Sequence, residues 1–379
     1  MKKTIRRHSS HWGAFTAEVD EGRFVGVRPF EKDPDPSPLI SSMSDAVYDE
    51  SRVARPMIRK GWLDHGPGGN RTQRGTEPFV AVPWDEALDI VAAEVDRVRG
   101  EHGNSAIFGG SYAAMTDYTS WDSIAANTQL MVAFGGVPLK NMQVLSGGPA
   151  EHISGPSLKA AVEAGVEIVN VSPIRDDVAA HLGATWLAVR PNTDVALMLA
   201  LAHTLETEGL ADQQFLTRYC VGYEKFRPYL LGSDDGIAKD ADWAAPICDI
   251  DADSIRQLAR RMASKRTFIN TNWSLQRGEY GEQPFWMTVT LAAMLGGIGL
   301  PGRGFGFGYG SMGNTGNPRR PAPTPSLSTG DNPCAEWIPV ARISDMLLNP
   351  GTNYEFDGET RTYPDIRLVY WCGGNPFHH

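Results

Sequence analysis

The stretch Leu130–Asn141, "LMVAFGGVPLKN", decides the fold of this chain. Its apolar start predicts a buried strand, and Gly135-Gly136 with the polar residues beyond them predict a ligand loop at the strand's carboxyl end. A predicted helix at "PSLKAAVEAG" and a second apolar strand in "VEIVNVSPIRDD" follow. This order of strand, helix and strand indicates a parallel sheet covered by helices.

The same alternation continues towards the carboxyl end. "TWLAVRPNTDVALMLALAHTLETEG" predicts a strand and a helix, "DADSIRQLARRMASK" with "RTFINTNW" predicts a helix and a strand, and "PFWMTVTLAAMLGGIG" predicts an apolar helix. The aromatic "GRGFGFGYG" stretch predicts a structured loop or strand, and the first sixty residues predict a small sheet with long loops. We therefore expect an α/β protein with Rossmann-like parallel-sheet domains and a small β-rich N-terminal region.

Three apolar segments end in paired glycines: "IFGGSY", "VAFGGVP" and "YWCGGNP". Glycine lets the backbone approach a bulky ligand closely, and the loops at the carboxyl ends of parallel strands are where open α/β sheets bind nucleotides. A single pair of glycines could equally form a tight turn. Three such junctions favour a shared ligand site.

Composition limits the possible classes of function. The chain has 379 residues, 41% of them hydrophobic, a formal charge of −10 and a calculated pI of 5.4, which predict a globular protein without a nucleic-acid surface. The basic start "MKKTIRRHSSHWGAF" lacks an apolar region, so we expect no signal peptide, no membrane insertion and a cytoplasmic location, a periplasmic one being less expected. The four cysteines are too dispersed for a zinc or iron–sulfur motif.

Polar residues beyond the predicted strands suit a phosphorylated nucleotide. Lys140 and Arg175 could contact a diphosphate, and Asp194 could accept hydrogen bonds from a guanine edge or a ribose. Ser172 lies in the same strand-end loop as Arg175. Each residue also has a structural alternative, because Arg175 could pair with a neighbouring aspartate and Asp194 could cap its helix. The glycine fingerprints of nicotinamide and P-loop nucleotide sites are absent, so a nicotinamide dehydrogenase is only a third possibility.

Eight blocks of sequence together resemble one family. The resemblance is to the molybdenum oxidoreductases that carry bis(molybdopterin guanine dinucleotide), in the branch of dimethyl sulfoxide, trimethylamine N-oxide and biotin sulfoxide reductases. It spans nearly the whole chain and rests on "HWGAF", "RPMIRKGWL", "VPWDEALDIV", "IFGGSY", "RPNTDVALMLALAHTLETEGL", "WSLQRGEYGEQPFWMTVTLAAMLGGIGLPG", "IPVARISDMLLNPG" and "PDIRLVYWCGGNPFHH".

The resemblance implies α/β domains around one large molybdenum cofactor, which reduces S-oxides or N-oxides by oxygen-atom transfer. It implies no iron–sulfur cluster, because clustered N-terminal cysteines are absent, and therefore an external electron donor. It divides the chain into residues 1–60 as a β-rich region, 61–121 plus 326–379 as an incomplete α/β domain, and 122–325 as a Rossmann-like dinucleotide-binding domain.

The resemblance also implies roles for individual residues. Tyr112 matches a tyrosine near the metal that can donate a hydrogen bond to the transferred oxygen, although it could simply be a core tyrosine. The cofactor-binding set that the resemblance implies is Lys140, Ser172, Arg175, Thr193, Asp194, Ser274, Gln276, Arg277, Gly374, Asn375 and His378.

Two departures from the family pattern put catalysis in doubt. The segment that carries the metal-ligating serine is missing after "GGSY", and Ser120 aligns with a later motif, so the metal ligand is unknown. The chain also stops at "GGNPFHH", a loop that in the family lies partway along, which predicts an uncovered strand edge. A rival hypothesis is therefore a non-catalytic remnant that binds a guanine nucleotide or pterin.

Overall fold

A computed structural model describes residues 4–67, 69, 75–110, 119–145, 150–317, 331, 334, 336–339, 342–356 and 358–371. Its internal contacts divide the chain into two compact units. The first unit comprises Met1–Val47 and Asp117–Pro321, and the second comprises Tyr48–Thr116 and Ala322–His379. The division into three domains stays a prediction, because contact density does not show which parts fold on their own.

The described strands, in chain order, are β1 (Thr4–Ser10), β2 (Gly13–Asp20), β3 (Arg23–Pro29), β4 (Met57–Arg59), β5 (Phe79–Ala81), β6 (Ile107–Gly110), β7 (Leu130–Phe134), β8 (Glu167–Val171), β9 (Thr185–Leu187), β10 (Thr267–Thr271), β11 (Gly304–Phe307), β12 (Asn353–Phe356), β13 (Glu359–Thr362) and β14 (Leu368–Trp371). The described α-helices are α1 (Met43–Ala46), α2 (Lys60–His65), α3 (Trp84–His102), α4 (Trp121–Asn127), α5 (Ser154–Glu163), α6 (Asp194–Thr207), α7 (Gln213–Tyr219), α8 (Tyr223–Leu231), α9 (Ala241–Cys248), α10 (Ala252–Ser264), α11 (Gln283–Met294) and α12 (Ile343–Leu348). None of these helices is long and apolar enough to cross a bilayer.

The first unit is built on a parallel sheet of the described strands in the order β11-β10-β7-β8-β9. Successive strands add on one side of β7 as far as β9, and then the chain crosses to β10 and β11 on the other side. The order therefore reverses between β7 and β10, whose register pairs Phe134 with Thr271. In doubly wound sheets, such a reversal opens a crevice beyond the carboxyl ends of the two strands.

Helices cover both faces of this sheet. On one face, α6, α9, α10 and α11 pack into a single apolar cluster, and on the other face α4 and α5 form the second cluster around Trp121 and Tyr309. The sequence of α6 is apolar all round, as expected of a helix surrounded by protein, and Leu197 and Leu201 are fully buried. The carboxyl ends of the strands are thus held on a rigid scaffold.

The N-terminal sheet β1-β2-β3 is antiparallel and packs Phe15 and Ala17 onto Ile40. A buried hydrogen bond joins this region to the loop before α5, because His152 Nδ1 lies 2.7 Å from Asp33 Oδ2. His152 Nε2 lies 3.0 Å from the carbonyl oxygen of Gln143. The polar contacts of the imidazole therefore fix the position of the N-terminal sheet.

The second unit has little buried core in its described part, where Met346, Tyr354 and Tyr363 form the apolar cluster. Strands β6 and β14 are parallel neighbours and end level with each other. Two of the glycine junctions thus follow adjacent strand ends, although the residues beyond Gly110 and Trp371 lie outside the described ranges. In β14, Val369, Tyr370 and Trp371 each expose about half of their surface. In α3, the apolar side chains of Trp84, Leu88 and Val91 are also exposed.

The α/β class and the small N-terminal sheet are confirmed. The predicted strands at "LMVAF", "VEIVNV" and "RTFINT" and the predicted apolar helix at "PFWMTVTLAAM" are present in the described ranges. The described part of the glycine-rich stretch, residues 302–317, is structured, with Tyr309 fully buried. The sequence prediction missed the short helices α1, α2, α4, α7, α8 and α9.

Candidate nucleotide site at the carboxyl ends of the strands

A cavity of about 540 Å³ opens where the strand order reverses. Its walls come from the loops that follow β7, β8, β9 and β10. The lining residues are Gly135, Ser172, Pro173, Ile174, Asp177, Pro191, Asn192, Asp194, Val195, Ser274, Leu275, Arg277, Gly278, Glu279, Tyr280, Gln283 and Pro284. We call this cavity the switch-point pocket; its volume lies in the usual range for small-molecule sites.

Both glycines after β7 have to be glycine. Gly135 and Gly136 have φ values of +77° and +70°, where residues with a side chain are strained. A Cβ on Gly135 would lie 2.6 Å from Leu275 Cδ1, and a Cβ on Gly136 would lie 2.5 Å from Asp177 Cβ. The close approach at this junction is therefore to the neighbouring strand-end loops, which can draw together and form the floor of the pocket.

Two buried asparagines in the strands hold these loops. Asn270 Nδ2 donates to the carbonyl oxygens of Gly136 and Tyr309 at 3.3 and 3.0 Å, and its Oδ1 accepts from Tyr309 N. Asn170 Nδ2 donates to the carbonyl oxygens of Ile174 and Arg175. Because a buried amide with several partners fixes loop geometry, the polar residues beyond β8 and β10 are preorganised.

Asp177 links three parts of the site. The Ser172 hydroxyl donates to Asp177 Oδ2 at 2.7 Å, and Lys140 Nζ lies 3.8 Å from Asp177 Oδ1. Ser172 Oγ also accepts a hydrogen bond from Ile174 N. The Ser172 side chain is therefore already engaged within the protein, and it supports the pocket wall through Asp177.

Asp194, the first residue of α6, is 8% exposed and lines the pocket. Burial raises the pKa of its carboxyl from 3.8 to about 6, and a hydrogen bond from its own backbone opposes that shift. Among the described residues, the structure gives this carboxylate no ion pair. A buried acid without a cation at the wall of a cavity is a typical binding group for a ligand that carries N–H donors.

The charges around the cavity are uneven. Asp177, Asp194 and Glu279 contribute three carboxylates to the described lining, and Arg277 contributes the one cationic side chain there. Arg277 forms no ion pair with a described residue and is exposed at the pocket. This distribution suits the hydrogen-bond donors of a base and a ribose better than a diphosphate, which would need more cations beside the cavity.

The structure brings together four of the residues predicted from the sequence, since Ser172, Asp194, Ser274 and Arg277 all line the pocket. Four others lie outside the lining. The Lys140 side chain is 67% exposed beside Asp177; Arg175 lies over the Trp186 ring at 5.9 Å; Thr193 Oγ1 donates to the Arg190 carbonyl at 2.7 Å; and Gln276 is exposed. Tyr112, Gly374, Asn375 and His378 lie outside the described residues.

Two alternatives raised by the sequence can be compared with the structure. Asp194 is the first residue of α6, Thr193 occupies the N-cap position before it, and the Asp194 carboxyl accepts a hydrogen bond from its own backbone. Ser120 caps α4, where its hydroxyl accepts from Ser123 N at 3.2 Å. Cys220, Cys248 and Cys334 are free thiols, and the described residues contain no group of three metal-binding side chains.

The sequence analysis missed Asp177, Asn192 and Tyr280. Asn192 and Tyr280 have φ values of +64° and +54°, which are uncommon for residues other than glycine, and both line the pocket. Asn192 could have been suspected, because asparagine after proline often forms a turn and tolerates this conformation. Nothing in the local sequence signals the conformation of Tyr280.

Comparison with known proteins gives a consistent result. The family model described as "Molybdopterin oxidoreductase" matches residues 52–150 and 126–379, and the model "Molybdopterin oxidoreductase N-terminal domain" matches residues 8–48. The chain is 42% identical to a biotin sulfoxide reductase of Cereibacter sphaeroides over 404 residues, which cover 94% of this chain and 54% of that protein.

Two further proteins are similar in sequence to this chain. A dimethyl sulfoxide/trimethylamine N-oxide reductase of Rhodobacter capsulatus is 39% identical over 429 residues, covering 98% of the chain and 52% of the relative. A trimethylamine-N-oxide reductase of Haemophilus influenzae is 37% identical over 431 residues, covering 98% and 52%. These alignments are longer than the chain itself, so the relatives carry internal residues that have no counterpart here.

Among solved structures, the acetylene hydratase of Pelobacter acetylenicus superposes with a TM-score of 0.54 at 20% identity, covering 77% of this chain and 43% of that one. This likeness supports the fold. The chain spans about half the length of the curated relatives it matches. On the match to the family model and the identity to these relatives, the chain belongs to the molybdopterin oxidoreductase family.

Proposed function

We propose that this chain binds the guanine end of a bis(molybdopterin guanine dinucleotide) molybdenum cofactor in the switch-point pocket. We further propose that the chain belongs to an enzyme that reduces S-oxides or N-oxides. The observation that carries the proposal is Asp194, a buried carboxylate without a cationic partner among the described residues, at the wall of a cavity of about 540 Å³ where the strand order reverses.

The chemistry of Asp194 favours guanine among the nucleobases. The Watson–Crick edge of guanine carries two adjacent N–H donors, and a carboxylate can accept both through its two oxygens. Adenine offers no such pair of donors. Because the pKa of Asp194 is raised to about 6 by burial, a ligand that donates two hydrogen bonds would favour the ionised carboxylate and offset its desolvation.

The residues present fit one nucleoside end of the cofactor. The cavity is large enough for a base and a ribose but too small for two pterins and two nucleotides, so the rest of the cofactor would lie beyond it. Arg277 at the pocket, with Lys140 and Arg175 in the neighbouring loops, would supply positive charge for a diphosphate. Ser172 would act through Asp177, while Ser274, Thr193 and Gln276 stay predicted contacts.

When bound, the molybdenum cofactor supplies oxygen-atom transfer and two-electron chemistry. The chain's own contribution is to bind and orient the cofactor through the strand-end loops. From the resemblance, Tyr112 would donate a hydrogen bond to the oxygen being transferred, and Gly374, Asn375 and His378 would contact the dinucleotide. An external donor would supply the electrons, without an iron–sulfur cluster in this chain. The protein ligand to the metal stays unassigned.

A second candidate is a non-catalytic module that binds a guanine nucleotide or pterin. One observation favours it: every described lining residue of the pocket lies within the Asp117–Pro321 part of the first unit. The described part of this unit would therefore supply nucleotide contacts by itself, whereas S-oxide reduction would also use the residues around Tyr112.

Expression in a molybdenum-replete host tests both candidates. The measurements are the molybdenum and pterin content of the purified protein and the oxidation of a reduced dye by S-oxides and N-oxides. Bound molybdenum with dye oxidation supports the enzyme. Metal-free protein that binds GDP supports the module, and protein that binds neither cofactor nor GDP contradicts both.

A further inference from the structure

The switch-point pocket carries an exposed aromatic residue at Tyr280. Tyr280 lies in the short turn between the 3₁₀ segment Trp273–Arg277 and α11, and 67% of its surface is exposed although it lines the pocket. Among the described residues, its ring packs against no other aromatic ring. A large ring left exposed at the edge of a cavity gains contact area when a flat ligand enters.

The backbone around Tyr280 is held tightly in place. A Cβ on Gly278 would lie 2.2 Å from Asn192 Oδ1, and a Cβ on Gly281 would lie 2.2 Å from the carbonyl oxygen of Gln276. The carbonyl oxygen of Tyr280 accepts a hydrogen bond from Gln283 N at 3.0 Å. These contacts make the turn a fixed part of the pocket wall.

Tyr280 is an unfavourable residue for its own backbone conformation. Its φ of +54° is one that glycine or asparagine adopts at lower cost, and a bulky side chain there is strained. Residues held in such conformations cluster at ligand sites, because the surrounding structure has to sustain the strain. This backbone conformation does not stabilise the fold, but it places the aromatic ring of Tyr280 at the pocket.

The other walls of the pocket complete a slot for a flat ring. Pro191, Pro284 and Leu275 supply apolar surface, and Asp194 supplies a hydrogen-bonding edge. A nucleobase has the matching chemistry, with two apolar faces and a polar rim. Stacking of a base on an aromatic side chain is a recurrent mode of recognition and does not depend on which base is bound.

We propose that Tyr280 stacks on the nucleobase whose edge is held by Asp194, an inference that rests on the proposed guanine site. Asp194 then selects the base, and Tyr280 adds affinity through the face of the base. The ring alone is needed, so the Tyr280 hydroxyl has no part in binding.

The test compares wild-type protein with Tyr280→Asn and Tyr280→Phe, all purified without the molybdenum cofactor. Asparagine tolerates the positive φ and removes the ring, whereas phenylalanine keeps the ring and removes the hydroxyl. Tyr219→Asn is the matched control, because Tyr219 is 64% exposed and lies outside the switch-point pocket. The probe is GDP, with affinity measured by calorimetry and the chemical shift of the guanine H8 proton measured by NMR.

We expect Tyr280→Asn to weaken GDP binding by about 5-fold to about 100-fold and to remove the upfield shift of H8 that stacking produces. Tyr280→Phe and Tyr219→Asn should retain both the affinity and the shift. Unchanged GDP affinity in Tyr280→Asn, or an equal loss in Tyr280→Phe, would overturn the stacking role while leaving the guanine site intact. Wild-type protein that binds no GDP would instead overturn the proposed guanine site and this inference together.

Discussion

Replacement of Asp194 by asparagine should make the protein more stable at neutral pH. Burial raises the pKa of this carboxyl from 3.8 to about 6. Since one pKa unit corresponds to about 1.4 kcal/mol, keeping Asp194 ionised in the folded protein costs about 3 kcal/mol above pH 6. Asparagine is nearly isosteric and cannot ionise, so Asp194→Asn removes this cost.

The dependence on pH has a definite sign. Between pH 4 and pH 6 the folded protein keeps the proton that the unfolded chain has released, so the free energy of unfolding of the wild type falls as pH rises through this interval. Below pH 4 both states are protonated and the cost disappears. The advantage of Asp194→Asn over the wild type should therefore grow by about 3 kcal/mol between pH 3.5 and pH 7.

Urea unfolding of both proteins at several pH values measures this difference, and the other titrating groups cancel in the comparison. Asp176→Asn is the matched control, because Asp176 is an exposed acid on a loop of the same site. Because the side chain is exposed, Asp176→Asn should change the free energy of unfolding at pH 7 by less than about 1 kcal/mol. The reasoning is refuted if Asp194→Asn is less stable than the wild type at pH 7, since that would mean that the carboxylate has a stabilising partner.

Three further substitutions test the scaffold, each by the free energy of unfolding in urea. Gly136→Ala should destabilise the protein by more than about 2 kcal/mol, because the residue has a positive φ and its Cβ would lie 2.5 Å from Asp177 Cβ. Asp33→Ala should cost about 1 to 3 kcal/mol and make the N-terminal sheet more susceptible to proteolysis, because it leaves the buried His152 imidazole without its side-chain hydrogen-bond partner. Leu201→Ala should cost about 2 to 5 kcal/mol, because Leu201 is fully buried in the main core.

Each of these substitutions has a control of the same type. Gly209→Ala has a similar positive φ, +67° against +70°, but open space around the new methyl group, so it should cost less than Gly136→Ala. Asp35→Ala and Leu300→Ala remove exposed side chains and should change stability by less than about 1 kcal/mol. Equal losses within a pair would contradict the explanation given for that pair.

The elements that position the site could be predicted because their signals are local. Five consecutive apolar residues followed by Gly135-Gly136 indicate a strand and its ligand loop, and β7 covers these five residues, Leu130–Phe134. Asp194 could be suspected from its place between a predicted strand and helix. Helices α7 and α9 carried a local signal that was missed, since Asp212 and Asp240 cap them through hydrogen bonds to backbone N–H groups.

The properties that make the pocket a site are not local in the sequence. The strand order places Ser172 and Ser274 at one cavity although about a hundred positions separate them, and no periodicity reports that order. The engagement of the Ser172 hydroxyl by Asp177 and the desolvation of Asp194 depend on tertiary packing. The cations Lys140 and Arg175, predicted for a diphosphate, lie outside the described lining, because long cationic side chains keep their charges in water.

Competitive calorimetry with GDP and ADP on the cofactor-free protein at pH 7.5 tests the guanine pocket most directly. Wild-type protein should bind GDP at least about five-fold more tightly than ADP, since a bidentate contact to a base edge discriminates by about 1 to 3 kcal/mol. Asp194→Asn should lose that preference and bind the two nucleotides alike. Equal affinities in the wild type, or a preference for GDP that survives in Asp194→Asn, would contradict the assignment of this pocket to guanine.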